Sequence, residues 1–252
     1  MIGLKKLSML VTKADIISRL RREILPLEGL YTPRNESTDE TGLGFMKQAF
    51  PNRTFPLGAV HELISETGES AAATTGFTAG IVSGLMKNGS AAVWIGKSRI
   101  LFPPALKAFG IRPDQIIFID LQKEKDILWS MEEALKCAGL AAVIGELPEL
   151  SFTTSRRFQL AVEQSRVTGF ILRSNPRNLQ PNACVSRWKI KSLPSFSEDG
   201  LPGLGYSRWQ VDLEKIRNGK PGSWQVEWRP GKFHEISESL PSILLEPKRK
   251  TG

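Results

Sequence analysis

Between residues 55 and 172 one pattern repeats: a short, mostly apolar run, then a stretch with helical spacing, then another apolar run. Residues 60–64, 91–95, 116–119, 140–144 and 169–172 are the apolar runs, each too short for a helix of ordinary length. Strands apolar on both faces must be covered on both faces, and helices between successive strands supply that cover. The helical stretches fit. Residues 74–87 are rich in small side chains and end at Asn88-Gly89, and residues 102–109 start at Pro103-Pro104 and stop at Gly110. Residues 123–138 carry Ile127, Leu128, Met131, Leu135 and Ala138 on one face with Gly139 as a C-terminal cap, and residues 154–165 form the last helix. The pattern predicts an α/β domain with a mostly parallel sheet flanked by helices.

The period changes afterwards. Trp188, Ile190 and Leu193, then Trp209, Val211 and Leu213, then Trp224, Val226 and Trp228 alternate with polar residues, as strands with one wetter face do. Their simplest arrangement is an antiparallel extension of the main sheet at its C-terminal side. Asn218-Gly219 and Pro221-Gly222 supply the turn between the last two. At the other end, Thr12 and Asp15 signal a helix whose Ile16, Ile17, Leu20 and Ile24 line one face, while Lys13, Arg19, Arg21 and Arg22 decorate the other, before Pro26 stops it. Residues 28–54 are polar and read as a linker, and residues 236–252 as a disordered tail. The expected organisation is an N-terminal basic amphipathic helix at 1–27, a linker at 28–54, one domain at 55–235 and the tail.

Two cysteines and two histidines leave no disulfide framework and no metal cluster. Residues 1–11 hold no sustained apolar run, so neither a signal peptide nor a membrane span is expected, and the simplest location is the cytoplasm. A formal net charge of +8 favours anionic partners such as nucleic acid.

Several runs carry a resemblance. Phe55-Pro56-Leu57-Gly58-Ala59-Val60-His61-Glu62-Leu63 resembles the entry to the first core strand of the RecA superfamily. That run, together with Leu101-Phe102-Pro103-Pro104-Ala105-Leu106, Asp126-Ile127-Leu128-Trp129-Ser130-Met131-Glu132-Glu133-Ala134-Leu135-Lys136-Cys137, Thr154-Ser155-Arg156-Arg157 and Arg217-Asn218-Gly219-Lys220-Pro221-Gly222, resembles the ImuA family, RecA-like proteins associated with translesion DNA synthesis. The resemblance runs from about residue 55 to 228. It implies a RecA-like fold and a role in SOS mutagenesis. The implied partners are an ImuB-like Y-family polymerase homologue, RecA and, indirectly, an error-prone C-family DNA polymerase, with nucleoid association after DNA damage. Contact with RecA is expected through the N-terminal helix or a sheet edge.

The phosphate loop of that superfamily fails a direct test. Such a loop needs glycines that let backbone N–H groups wrap the phosphates, a Lys for the terminal phosphates and a hydroxyl for magnesium. After the first strand the chain reads Ser65-Glu66-Thr67-Gly68-Glu69-Ser70-Ala71-Ala72-Ala73-Thr74-Thr75-Gly76, with Ser70-Ala71-Ala72 where the family places Gly-Lys-Thr. No lysine occurs between Phe55 and Lys87, and Glu66 and Glu69 add negative charge where phosphate would lie. The resemblance also implies a carboxylate after the second strand, where Gly96-Lys97-Ser98-Arg99 stand, and an acidic end to the strand at 140–144, which continues Gly145-Glu146. Glu146 fits a capping or surface carboxylate better than a metal ligand. The expectation is a pseudo-ATPase with no catalytic residue, metal or cofactor, acting as an adaptor. The alternatives are a RecA-like SOS cell-division inhibitor and an NTPase with an atypical loop.

The remaining candidates are cationic. Loops after successive parallel strands gather at the C-terminal edge of the sheet, so Lys97, Arg99, Arg173 and Arg156 are expected on one basic rim, with Arg157 and Arg177 as further contacts for a partner or for weak DNA binding. In RecA-like recombinases two loops hold DNA; the corresponding segments here, residues 147–153 and 174–183, are short. His61 reads as a structural residue, Cys137 and Cys184 as buried small hydrophobes, Glu132-Glu133 as a wet helix face, and Trp129 as either core or an exposed anchor.

Overall fold

The computed structural model describes residues 41–86, 89–97, 101–195 and 205–236. The N-terminal helix with Arg19, Arg21 and Arg22, the site of Arg99, and the tail from residue 237 lie outside the described residues.

Among the described residues nine strands form one sheet: β1 (Val60–Ser65), β2 (Ala92–Gly96), β3 (Ile116–Asp120), β4 (Ala142–Glu146), β5 (Thr168–Ser174), β6 (Ser186–Leu193), β7 (Arg208–Ile216), β8 (Gly222–Arg229) and β9 (Lys232–Glu235). Their spatial order is β3-β2-β4-β5-β1-β6-β7-β8-β9. β1 lies between β5 and β6 and is parallel to both, with Leu63 opposite Leu172 on one side and Trp188 on the other. β6 was expected to be antiparallel; it is the mixed strand, parallel to β1 and antiparallel to β7, and the antiparallel part begins only beyond it. β9, a four-residue strand paired with β8, had no separate sequence signal.

Among the described residues three α-helices cover the sheet: α1 (Gly68–Leu85), α2 (Glu124–Leu135) and α3 (Phe152–Ser165). On one face α1 packs Phe77 and Ile81 against Leu63, Phe170 and Trp188. That layer continues into a ring cluster, where Phe77 and Phe233 centroids are 5.0 Å apart and Trp228 and Phe233 4.9 Å apart. The small residues of α1 make room for these rings: a Cβ on Gly80 would stand 2.6 Å from Phe233 and 2.9 Å from Trp228. On the other face Ile127 and Met131 of α2 and Phe158 and Val162 of α3 cover Val60, Val93, Val143 and Ile171.

The linker expectation fails over its described part. Leu43, Met46, Ala49 and Phe50 are buried, and residues 44–53 form two short 3-10 turns. The Gly42 carbonyl accepts from Phe233 N–H, the Ala49 carbonyl from Lys220 N–H, and Phe50 meets Phe55 and Trp188 edge to face or tilted. Residues 41–54 thus strap the antiparallel end of the sheet and belong to the domain. Their polar composition hid four apolar residues at helical spacing.

Candidate functional site

The segment after β1 is shorter than its sequence suggested. Strand β1 ends at Ser65, only Glu66 and Thr67 follow, and α1 begins at Gly68, well before the expected start at residue 74. Thr67 is the N-cap: its Oγ1 accepts from the Ser70 N–H at 3.1 Å, and its carbonyl accepts from the Ala71 N–H at 2.9 Å. Two amides that a phosphate loop would direct at its ligand are therefore engaged by the chain itself. The Thr67 hydroxyl also donates to Ser70 Oγ at 3.0 Å. Both glutamates are tied to β6: Glu66 pairs with Lys189 at 2.6 Å and Glu69 accepts from Ser192 at 2.6 Å. The bond from Lys189 holds the Glu66 carboxyl below its usual range. Ser65 is buried with its hydroxyl toward the Arg173 carbonyl, and Ala71 and Ala72 sit in the first turns of the helix without functional groups.

At the end of β4, Glu146 accepts from Trp94 Nε1 at 2.7 Å. Burial pushes its carboxyl above the usual range, the Trp94 bond opposes this, and the neighbouring Asp120 adds to it. Gly96 leaves the space this carboxylate occupies, since a Cβ there would stand 2.8 Å from Glu146 Oε2. Glu146 is thus a half-buried, tryptophan-bonded group. Lys97 follows β2, is exposed, and its carbonyl accepts from Gln122.

The expected basic rim does not assemble around Arg173. That residue is 1% exposed, so it is no surface cation. Its Nη1 donates to Glu62 Oε1 at 2.6 Å, and its Nη2 to Glu149 Oε2 at 2.8 Å and the Asn178 carbonyl at 3.1 Å. Glu62, in the middle of β1 and fully buried, also accepts from Asn182 Nδ2 and Arg187 Nε, both at 2.7 Å. Burial alone would raise the Glu62 carboxyl; the three donors outweigh it and hold the group below its usual range.

The topology explains this network. Residues 175–185 carry the chain from the end of β5 to the start of β6, stepping over β1. Connections between parallel strands normally use a helix, which satisfies its own carbonyls. This one is irregular, so its carbonyls need other donors. Four cations provide them: Arg173 to Asn178, Arg187 to Gln180 at 2.9 Å, Lys215 to Asn182 at 2.9 Å and Arg217 to Ala183 at 3.3 Å. Residues 175–185 are therefore pinned to the sheet along most of their length. Sequence reasoning passed over Glu62, Asn182, Arg187, Lys215 and Arg217. The available signal was a charged residue at the centre of an otherwise buried strand, which must find a partner.

The other candidates scatter. Arg157 pairs with Glu132 of α2, Arg156 lies 3.8 Å from Glu163, and Arg177 has an exposed side chain while its N–H donates to Glu149 Oε1. Glu132 is thus an inter-helix tether and Glu133 a partner of Lys136, neither an acid–base pair. His61 is structural, as expected: it is 1% exposed, with Ser186 Oγ at 2.7 Å from Nδ1 and the Pro56 carbonyl at 2.8 Å from Nε2. A carbonyl only accepts, so Nε2 carries the proton and Nδ1 accepts from Ser186. Burial pulls the pKa down to about 4, with the Pro56 bond partly opposing. Cys184 is buried and its thiol is pushed up to about 12 by burial; Cys137 is exposed, contrary to expectation, because it follows the end of α2. Trp129 resolves as exposed, at 65%. No helix among the described residues is long and apolar enough to cross a membrane, and none of their side chains forms a group that could hold a metal ion.

No family model matches the chain. Among solved structures, a KaiC-like protein, PH0186 of Pyrococcus horikoshii OT3, is similar with a TM-score of 0.53 at 16% identity, covering 78% of this chain and 97% of that one. The RadB recombinase is similar with a TM-score of 0.50 at 10% identity, covering 72% and 92%. At such identities the likeness shows the fold, which is RecA-like. Among curated proteins, the protein ImuA of Caulobacter vibrioides strain NA1000 / CB15N is 34% identical, covering 71% of this chain and 78% of that one, and its counterpart in strain CB 15 gives the same values. On that similarity, carried by a RecA-like α/β sheet with an antiparallel extension, the chain belongs to the ImuA family.

Proposed function

We propose that this chain is a non-enzymatic adaptor of SOS-associated, error-prone translesion DNA synthesis. Membership of the ImuA family supports the pathway. The observation that carries the non-catalytic part is the loop after β1. It has no lysine and places Ala71 and Ala72 where two functional groups would stand, and Thr67 engages the Ser70 and Ala71 amides. Phosphoryl transfer depends on positioned cations and amides around the phosphates, so losing them together removes the main source of rate enhancement. The chain would then work by recruitment. One surface holds the ImuB-like Y-family polymerase homologue, and another holds RecA or DNA, so that the C-family polymerase is brought in indirectly. Arg19, Arg21 and Arg22 on the N-terminal segment and the exposed Lys97, Arg156, Arg157 and Arg177, with Arg99, are the contacts we assign to partners or phosphates. The test is a pull-down of the ImuB-like homologue and of RecA by the intact chain and by a chain starting at Thr41. Failure of the intact chain to retain either partner would refute the adaptor reading.

A further inference from the structure

Seven large apolar side chains are exposed among the described residues, and three of them, Phe152 (59%), Leu160 (46%) and Leu179 (48%), stand on α3 and the crossover beside it. Phe152, Arg156 and Leu160 are spaced four apart, so they share one stripe of α3. That stripe meets neither neighbour. The side of α3 toward α2 carries Arg157 and Ser165, bonded to Glu132 and the Leu135 carbonyl, and the side toward the sheet is filled by Phe158 and Val162.

The crossover runs alongside. One nitrogen of Arg173 holds both Glu149 and the Asn178 carbonyl, and the Ser155 hydroxyl accepts from the Ala183 N–H at 3.0 Å. Phe152 and Leu179 therefore stand on two segments cross-linked on both sides of them. The cross-links keep the backbone fixed, so a partner docking here would meet a preorganised surface.

We infer that the α3 stripe and the crossover form a docking surface for a segment of a partner protein that carries acidic residues around a large apolar side chain. This deepens the adaptor reading and rests on it. The acidic character follows from Arg177, an exposed cation two residues before Leu179, and from Arg156, which stays exposed although it lies 3.8 Å from Glu163. A protein fits better than nucleic acid because two of the three apolar anchors are leucines, which offer no ring for a base to stack on.

The experiment uses the full chain and the ImuB-like polymerase homologue, with affinity measured by titration and the contact mapped by amide hydrogen exchange. Phe152→Glu introduces an acid at the first turn of α3, where it suits the helix, so the melting temperature should hold while affinity drops by at least about tenfold. Arg177→Glu weakens binding most at low salt, and Trp129→Glu on α2 leaves it unchanged. Protection falls on residues 152–163 and 174–183. If the homologue binds but Phe152→Glu binds equally well, or protection lies elsewhere, this surface is wrong and the adaptor reading stands. If the homologue does not bind the wild-type chain, both fall. If a single-stranded oligonucleotide protects these segments and Phe152→Glu abolishes that, the surface is one for nucleic acid and the inference is overturned.

Discussion

Replacing Arg173 by Met takes one cation away from a carboxylate that has no access to solvent. Glu62 would keep Asn182 and Arg187 as donors, both at 2.7 Å, but lose the Arg173 bond at 2.6 Å. Removing one partner of a buried ion pair costs about 3–5 kcal/mol, because the remaining charge is left short of compensation. Two surviving donors place the cost at the lower end, about 3 kcal/mol, and the unheld Asn178 carbonyl sits near the surface where water can replace the bond. The same replacement in a Glu62→Gln background leaves no stranded charge and should cost about 1 kcal/mol, the worth of ordinary hydrogen bonds. The two effects should therefore couple by about 2 kcal/mol. Urea denaturation of Arg173→Met, Glu62→Gln and the double variant measures all terms, and the single Arg173→Met chain should melt about 6–12 °C lower. A loss below about 1 kcal/mol, or the same loss in both backgrounds, would refute the argument that this arginine serves the fold rather than a ligand.

The pKa of His61, about 4 when folded against 6.5 unfolded, makes the neutral ring the folded form. Its contribution is complete above pH 6.5 and fades as pH falls to about 4, up to about 3 kcal/mol, so wild type should lose more stability across that window than His61→Asn; an imidazole seen by NMR to titrate above pH 6 would contradict this. Gly80→Ala gains helix propensity of about 1 kcal/mol but drives a Cβ into Phe233 and Trp228, so a net loss of about 1–2 kcal/mol is expected. Gly68→Ala, with nothing within 4 Å, should be neutral or slightly stabilising by the same thermal melts. A chain starting at Thr41 should fold, whereas one starting at Phe55 loses Leu43, Met46 and Phe50 from the core, at about 2–5 kcal/mol each, and should show no cooperative transition.

The parallel core was legible because four of its five strands, all but the edge strand β3, are buried on both faces, and because Gly110 stops the turn at residues 103–109; Gly139 is not the cap expected of it, since α2 ends at Leu135 with Lys136 as its C-cap. What the sequence hid had a specific cause in each case. The start of α1 was hidden by the expectation of a phosphate loop, although Thr67 with Ser70 and the run Ala71-Ala72-Ala73 are a cap and good helix formers. Arg173 looked like a rim cation because position in a strand does not reveal a partner such as Glu62, which lies 111 residues away in the chain. Residues 41–54 looked like a linker because burial against β9 depends on long-range packing that local composition does not encode. The mixed pairing of β6 was equally non-local, since parallel and antiparallel neighbours leave similar alternation.

A non-catalytic chain requires that the capped start of α1 no longer receive a nucleotide. Isothermal titration of the intact chain with ATP and magnesium decides it. No saturable heat at millimolar ATP is the predicted result; binding in the micromolar range would mean that the Ser70 and Ala71 amides release Thr67 for phosphate, and the non-catalytic reading would fail.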